Sequence, residues 1–509
     1  EVALAYLNIV FLPIDVEFPV KIVEHCVSAI GLRMILTDTK EHMEDIAAVT
    51  TTIVTLENEI PSAEIGKEAL EENSETMLIN TSGTTGMPKT VILTWRGIMN
   101  CINATQKLFS ITSKDVAFGV TNYGHDMSIF DILGMVYIGG TTVIPNQHNY
   151  KNPEIWIDLM NKYKVTVWIS VPALLEMLLY SDLEKLPEVV GKLHRVIQGG
   201  DYLHIDIVKK FRKWNQKGKI FNVGGPTETT MWNIYHEVSG EDIQNNNIPY
   251  GKPFPNTQYY ILDKKQELCP VGKEGQMYIA GDGVTPGYVG TGEQGKFTEY
   301  KGLRVYCSGD YGVYMRTGEI LFRGRKDRQI KINGKRIELD GIEEKLNSIK
   351  GITKGAVICK DKRIVAYYVA EDKTEVNNIK KILSGILPEY MIPTAFYEIK
   401  RLPYNRNKKV DYRELERMVP KTGEQEKAET ELEDFVARIC ENIFEVEKIG
   451  VKESFYNLGG DSVTAMRIAA IIKKEFNVHM TPYDIFEHST IRELASYIAK
   501  LRSDINEKV

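Results

Sequence analysis

Leu458-Gly459-Gly460-Asp461-Ser462 places a hydroxyl residue at the foot of a helix. The two glycines supply a flexible entry turn, and after Ser462 apolar residues recur at Val463, Met466, Ala470 and Ile471, a helical spacing. Two readings of the local string stay open. Asp461 or Ser462 caps the helix, as such residues commonly do, or Ser462 offers an exposed hydroxyl for covalent modification. The surrounding segment, Lys427 to Lys500, is about 75 residues long, a plausible size for a small helical domain.

Upstream the pattern changes. Short β-rich runs, Thr141 to Ile144, Val165 to Ile169 and Arg195 to Ile197, alternate with helical patterns such as Ala173 to Tyr180. That alternation predicts a parallel sheet with helices on its faces. A smaller α+β segment follows from Gln329 to about Leu415. The polar run Val419 to Lys427, which holds both Pro and Gly, reads as a linker.

With 509 residues the chain is too long for one compact domain. Its 63 basic and 69 acidic side chains nearly balance, which argues against a general nucleic-acid binder. The six cysteines are scattered without metal-ligand spacing and read as reduced thiols of a cytoplasmic protein. No apolar run has the length of a membrane span, and no signal peptide is visible. The chain begins without Met, inside a strand-like run from Ala5 to Ile14, and reads as a fragment.

Thr81-Ser82-Gly83-Thr84-Thr85-Gly86-Met87-Pro88-Lys89 packs hydroxyls, glycines and a lysine behind an apolar run. Glycines let backbone N–H groups approach phosphate oxygens, the hydroxyls add donors, and Lys89 adds a mobile charge. The Gly-Lys-Ser/Thr ending of the Walker loop is missing. By itself such a stretch is either a phosphate cradle or an ordinary loop.

Phe455 to Ser462, with the amphipathic run to Phe476, resembles the peptidyl carrier domains of nonribosomal peptide synthetases. The rest of the chain resembles the adenylate-forming superfamily and, within it, the amino-acid-activating adenylation domains of those synthetases. The motifs come in the family's order. Ala5 to Pro19 and Thr81 to Lys89 are followed by Gly225-Pro226-Thr227-Glu228 and Tyr306-Cys307-Ser308-Gly309-Asp310. Gly324 to Asp327, Gln329 to Gly334 and Asn407-Lys408-Lys409-Val410-Asp411 complete the set.

The resemblance implies an α/β large adenylation lobe, N-terminally truncated, over residues 1–326 and a small α+β lobe over 327–417. A linker at 418–429 and an all-α four-helix carrier domain at 430–503 follow. It implies phosphopantetheine on Ser462, whose thiol carries an acyl group as a thioester. For ATP it implies Thr81, Ser82, Thr84, Thr85, Lys89, Gly225 and Thr227 at the phosphates, Asp310 on the ribose hydroxyls, and Arg325 beside them. Glu228 is expected to ligate Mg²⁺, a hard cation that takes oxygen ligands. Lys409 is expected to be catalytic, stabilising charge that develops during adenylation. Asp327 is expected at a hinge.

Asp126 matches the family's ligand for a substrate α-ammonium. Met127, Phe130, Ile169, Ile197, Gly199, Val223, Met231 and Trp232 match its side-chain pocket, apolar throughout and suited to a small apolar amino acid such as glycine or alanine. One departure stands out. The family carries an aromatic before Gly-Pro-Thr-Glu, where adenine stacks, and this chain has Gly224. Loss of that stack weakens ATP binding by about 1–3 kcal/mol unless another side chain compensates.

The implied partners are a phosphopantetheinyl transferase and neighbouring synthetase domains such as condensation or thioesterase domains, with no nucleic acid and no membrane. Two alternatives remain: an acyl or aryl acid ligase fused to an acyl carrier, and a degenerate binding module that displays a carrier without turnover.

Overall fold

The computed structural model describes residues 2–15, 18–32, 34–37, 52–55, 71–81, 88–146, 150, 152–181, 183–290, 296–332, 334–360, 363–370, 376–404, 409–418, 426, 428–444, 448–455, 458, 462–476, 478 and 480–506. They form two compact units. The first comprises residues 1–174, 187–341 and 384–390, and the second 175–186, 342–383 and 391–509.

The first unit is built on a seven-stranded sheet. Five strands, Thr141–Val143, Val116–Gly119, Val167–Ser170, Arg195–Gln198 and Lys219–Gly224, lie parallel in that spatial order. Ile234–Glu237 runs antiparallel to the last of them and pairs with Lys252–Pro253 at the edge. The central strand Val167–Ser170 is buried at every residue, so both of its faces are covered, as a parallel sheet requires. Helices alternate with the strands and are punctuated locally. Asn152 caps Pro153–Tyr163 by accepting from the Glu154 and Ile155 amides, and Thr94 caps Trp95–Phe109. The three β-rich runs read from the sequence are all strands of this sheet, and Pro172–Leu179 is helical as its pattern predicts.

The N-terminal run corrects the strand reading. Val2–Tyr6 is helical, and of the following extended stretch Phe11 alone bridges to another strand, at Met77. A short apolar run rich in Ala and Leu fits either state, and here the helix propensity of its first residues prevails.

A second, antiparallel sheet orders Thr257–Leu262, Gly275–Gly281, Leu303–Tyr314 and Phe297–Tyr300, with Ile320–Arg325 also pairing with the long strand Leu303–Tyr314. A third joins Glu75–Thr81, Lys89–Thr94 and Gly287–Tyr288. The hairpin Gln329–Ile332/Lys335–Glu338 also belongs to this unit.

In the second unit, Ile352–Lys360 pairs antiparallel with Arg363–Ala370, which pairs parallel with Ala395–Glu398; helix Val376–Ser384 lies within that crossover. Four helices, Glu431–Phe444, Ser462–Phe476, Pro482–Glu487 and Ile491–Asn506, enclose an apolar core that includes Val436, Cys440, Phe455, Ile468, Ile472, Leu494 and Ile498. Arg492 ties the last helix to Glu433 on the first at 3.0 Å and to Glu426 and Glu429, which precede the bundle, at 3.2 and 2.9 Å.

Candidate active site

Four parallel strands end at one place. Beyond Gly119 comes the loop holding Asp126, beyond Ser170 comes Val171, beyond Gln198 come Gly199 and Gly200, and beyond Gly224 comes Gly225-Pro226-Thr227-Glu228. A crevice at the carboxyl ends of parallel strands is where open α/β sheets bind ligands. A pocket is lined there by Asp126, Gly199, Gly200, Gly225 and Thr227, from three of these segments, and by Asp310 and Arg325 of the antiparallel sheet.

Its deep wall is apolar. Met127, Val223, Met231 and Trp232 line it, while Phe130, Ile169 and Ile197 stand behind them in the same buried core. The Trp232 and Phe130 ring centroids are 5.8 Å apart, and the Trp232 indole N–H donates to Thr105 Oγ1 at 2.8 Å, which fixes the ring. Gly199 keeps the wall thin, since a Cβ there would stand 2.8 Å from Val223 Cγ2. Thr230 and Met231 both hold positive φ, 63° and 60°, so the turn after Glu228 stores backbone strain where it presents Met231 to the pocket.

Asp126 is 4% exposed in this setting. His125 Nδ1 lies 3.1 Å from its Oδ1. The Met127 amide also lies within reach of Nδ1, and Nε2 stands 3.1 Å from the Gly334 carbonyl oxygen. Gly334, at the tip of the hairpin, has φ 78°, and a Cβ there would stand 2.2 Å from Val171 Cγ1, so only glycine brings this tip so close.

At the polar end, Asp310 and Arg325 are cross-strand partners, and Arg325 Nη1 donates to Asp310 Oδ1 at 2.7 Å. Arg325 also grips Asp327 through Nε and Nη2 at 2.7 and 2.5 Å. Thr81 and Thr227 line the same pocket. Ser82, Thr84 and Thr85 lie outside the described residues, and so does Asn333. Lys89 stands 5.6 Å from the Tyr288 ring, and the Tyr288 hydroxyl donates to Glu228 Oε1 at 2.7 Å.

Glu228 is 1% exposed. Burial alone raises a carboxyl pKa, but the Arg336 guanidinium, 2.8 Å from Oε1, and the Tyr288 hydroxyl outweigh it and hold Glu228 down at about 2. Its second oxygen, Oε2, is buried without a hydrogen-bond partner among the described residues. An ionised carboxylate with one vacant acceptor oxygen suits a hard cation such as Mg²⁺. The described residues gather no cluster of three His, Cys, Asp or Glu side chains.

Sequence reasoning missed Tyr288 and Arg336. Arg336 lies just beyond the quoted Gln329 to Gly334 stretch, after Lys335, whereas nothing local marks Tyr288. Lys409 and Ser462 both belong to the second unit. Lys409 precedes Val410, which bridges to Tyr404, and Ser462 opens the helix Ser462–Phe476, where the helix dipole favours an attached phosphate.

Residues 1–289 match the family of AMP-binding enzymes and residues 431–498 match the phosphopantetheine attachment site. The chain belongs to the AMP-binding enzyme family, as an adenylation domain joined to a carrier domain of the nonribosomal peptide synthetase type. Bacitracin synthase 1 of Bacillus licheniformis is 33% identical over 436 residues, which are 83% of this chain and 8% of that protein. The chain thus spans less than a tenth of that relative. The solved holo-PA1221, a synthetase protein with adenylation and carrier domains, superposes with a TM-score of 0.82 at 22% identity, covering 98% of this chain and 85% of that one. AB3403, a four-domain nonribosomal peptide synthetase solved with AMP and glycine, aligns with a TM-score of 0.55 at 27% identity, covering 97% of this chain and 37% of that one. No helix among the described residues is long and apolar enough to cross a membrane.

Proposed function

We propose that this chain activates a small apolar amino acid as its adenylate and passes it to a thiol carried on Ser462. The observation that carries the reading is Asp126, a buried carboxylate at a pocket whose deep wall is apolar. A carboxylate there has a clear use if it receives an α-ammonium, because an unpaired cation in such a wall is costly. Trp232 and Phe130 take up the volume a long side chain needs, which points to glycine or alanine. AB3403 holding glycine is consistent with that size.

In the first step the amino-acid carboxylate attacks the α-phosphorus of ATP and pyrophosphate leaves. Asp310 accepts from the ribose hydroxyls, Arg325 supports that carboxylate, and Thr81, Ser82, Thr84, Thr85, Lys89 and Thr227 hold the phosphates. Lys409 stabilises the charge that grows on the reacting oxygens. Glu228 is the residue that would hold Mg²⁺, and Ser462 the one that would hold phosphopantetheine. When bound, the ion supplies positive charge beside the phosphates and the arm supplies a mobile thiol. A lobe from residue 327 to 417 moves between the steps, with Asp327 at its hinge. A phosphopantetheinyl transferase and neighbouring synthetase domains complete the setting.

The test is intact mass after incubation with a phosphopantetheinyl transferase, coenzyme A, ATP, Mg²⁺ and mixed amino acids. The expected result is the arm's mass followed by that of one small amino acid. Loading from fatty or aryl acids instead would replace this reading with the acid-ligase one, and ATP binding without turnover would favour the binding module.

A further inference from the structure

Gly224 ends its strand against a ring from elsewhere in the chain. A Cβ built on Gly224 would lie 2.0 Å from Tyr250 Cε2 and 2.5 Å from both Cζ and Oη. No real Cβ makes such contacts, so the phenol end of Tyr250 occupies the volume that a side chain at position 224 would fill.

Tyr250 is held firmly in that place. Its amide and that of Gly251 donate to the Ile320 carbonyl at 2.9 and 3.1 Å, and Ile320 donates back to Gly251 at 2.8 Å. Its ring packs 5.6 Å from Phe322 and stands edge-on to Tyr259 at 6.4 Å. Gly251 is forced to be glycine, with φ 115° and the Tyr235 carbonyl oxygen 1.9 Å from a Cβ position. That pins the backbone immediately after the ring.

The ring faces the part of the pocket where a nucleoside would sit. Tyr250 lines the pocket together with Gly224, Gly225, Asp310 and Arg325. Burial and the nearby Asp310 carboxylate push the phenol pKa up, so the hydroxyl stays neutral beside the carboxylate. An aromatic ring next to an acceptor suited to ribose hydroxyls and to bare glycine backbone has the makings of a purine subsite, because every base offers a π-face for stacking.

We propose that Tyr250 supplies the aromatic contact for the adenine ring, and that Gly224 and Tyr250 form an exchanged pair in which one ring serves from the neighbouring segment. The inference rests on nucleotide binding in this pocket. It makes the two positions sterically dependent, since a side chain at 224 and the ring of Tyr250 cannot coexist.

The test is AMP binding by the full chain, measured by calorimetry alongside the melting temperature. Tyr250→Ala and Tyr250→Leu should both weaken AMP by about 5- to 150-fold, the range of base–aromatic stacking, while Tyr250→Phe stays near wild type. Leu keeps apolar volume, so it separates loss of the ring from loss of packing should the alanine variant fail to fold. Gly224→Tyr should lower the melting temperature and AMP binding in the wild-type background and restore both when combined with Tyr250→Ala. Wild-type AMP affinity in Tyr250→Leu, or a Gly224→Tyr defect that Tyr250→Ala leaves unrelieved, overturns the proposal. A wild-type chain that binds no AMP overturns the nucleotide reading with it.

Discussion

Arg336 Nη1 lies 2.8 Å from Glu228 Oε1, so the carboxylate expected to meet a metal ion is already neutralised by a residue of the hairpin. On the proposed role of Glu228, Arg336 and Mg²⁺ compete for one buried carboxylate. Arg336→Met should lower the Mg²⁺ concentration needed for half-maximal adenylate formation by about tenfold, since a screened repulsion of ~1.4 kcal/mol corresponds to that factor. It should also destabilise the fold by about 3–5 kcal/mol, because Glu228 is left as an uncompensated buried charge. Metal titration of pyrophosphate exchange and denaturant unfolding read the two effects separately. An unchanged metal requirement in a folded variant would remove Arg336 from the competition.

Asp126→Ala should depress amino-acid activation, with about 2–5 kcal/mol lost from the interaction with the substrate ammonium. Amino-acid-dependent pyrophosphate exchange is the measurement. Undiminished affinity for the preferred amino acid refutes the ammonium role and revives the acid-ligase reading.

Lys409 separates the two half-reactions. Lys409→Ala should slow adenylate formation by roughly 10²–10³-fold, the consequence of losing about 3–4 kcal/mol of charge stabilisation. Transfer from a supplied aminoacyl adenylate to the Ser462 arm should be nearly unaffected. Equal loss in both steps means that Lys409 supports the fold or both states.

Ser462→Ala should keep pyrophosphate exchange and lose covalent loading, because the hydroxyl belongs only to the second step. A variant that still gains the phosphopantetheine mass rules out Ser462 as the attachment point.

Asp131 gives a pH signature. It sits in the π-helical turn Phe130–Gly134 with neither carboxyl oxygen hydrogen-bonded among the described residues, and burial, opposed only by Thr121, holds its pKa well above the ordinary range. An acid whose folded pKa is raised adds stability that is fully present below the unfolded value of about 3.9 and is lost as pH rises through the folded value. Asp131→Asn removes that titration. The variant should be at least as stable as wild type at pH 8 and relatively weaker at acid pH, read from denaturant midpoints across the range. Parallel pH profiles for the two proteins would show that Asp131 does not titrate in this way.

The β-rich runs Val165 to Ile169 and Arg195 to Ile197 were legible as buried parallel strands because their continuous apolar character has no use on a half-exposed sheet. Gly225, Thr227 and Asp310 were singled out because their motifs resemble those of the family, and the structure brings all three to the lining of one pocket. The run from Ala5 was misread as strand because short apolar segments satisfy both periodicities, and the choice falls to packing and end effects.

What the sequence by itself determined is therefore the identity of the family, the order of its motifs and the donor groups within each motif, all of which depend on neighbours along the chain. Only the tertiary structure decided that Arg336 and Tyr288 meet Glu228 from 108 and 60 residues away, and that Tyr250 fills the space beside Gly224. Such contacts follow from strand order and side-chain volume across separate sheets. Those are collective properties of the packed chain, and no local pattern encodes them.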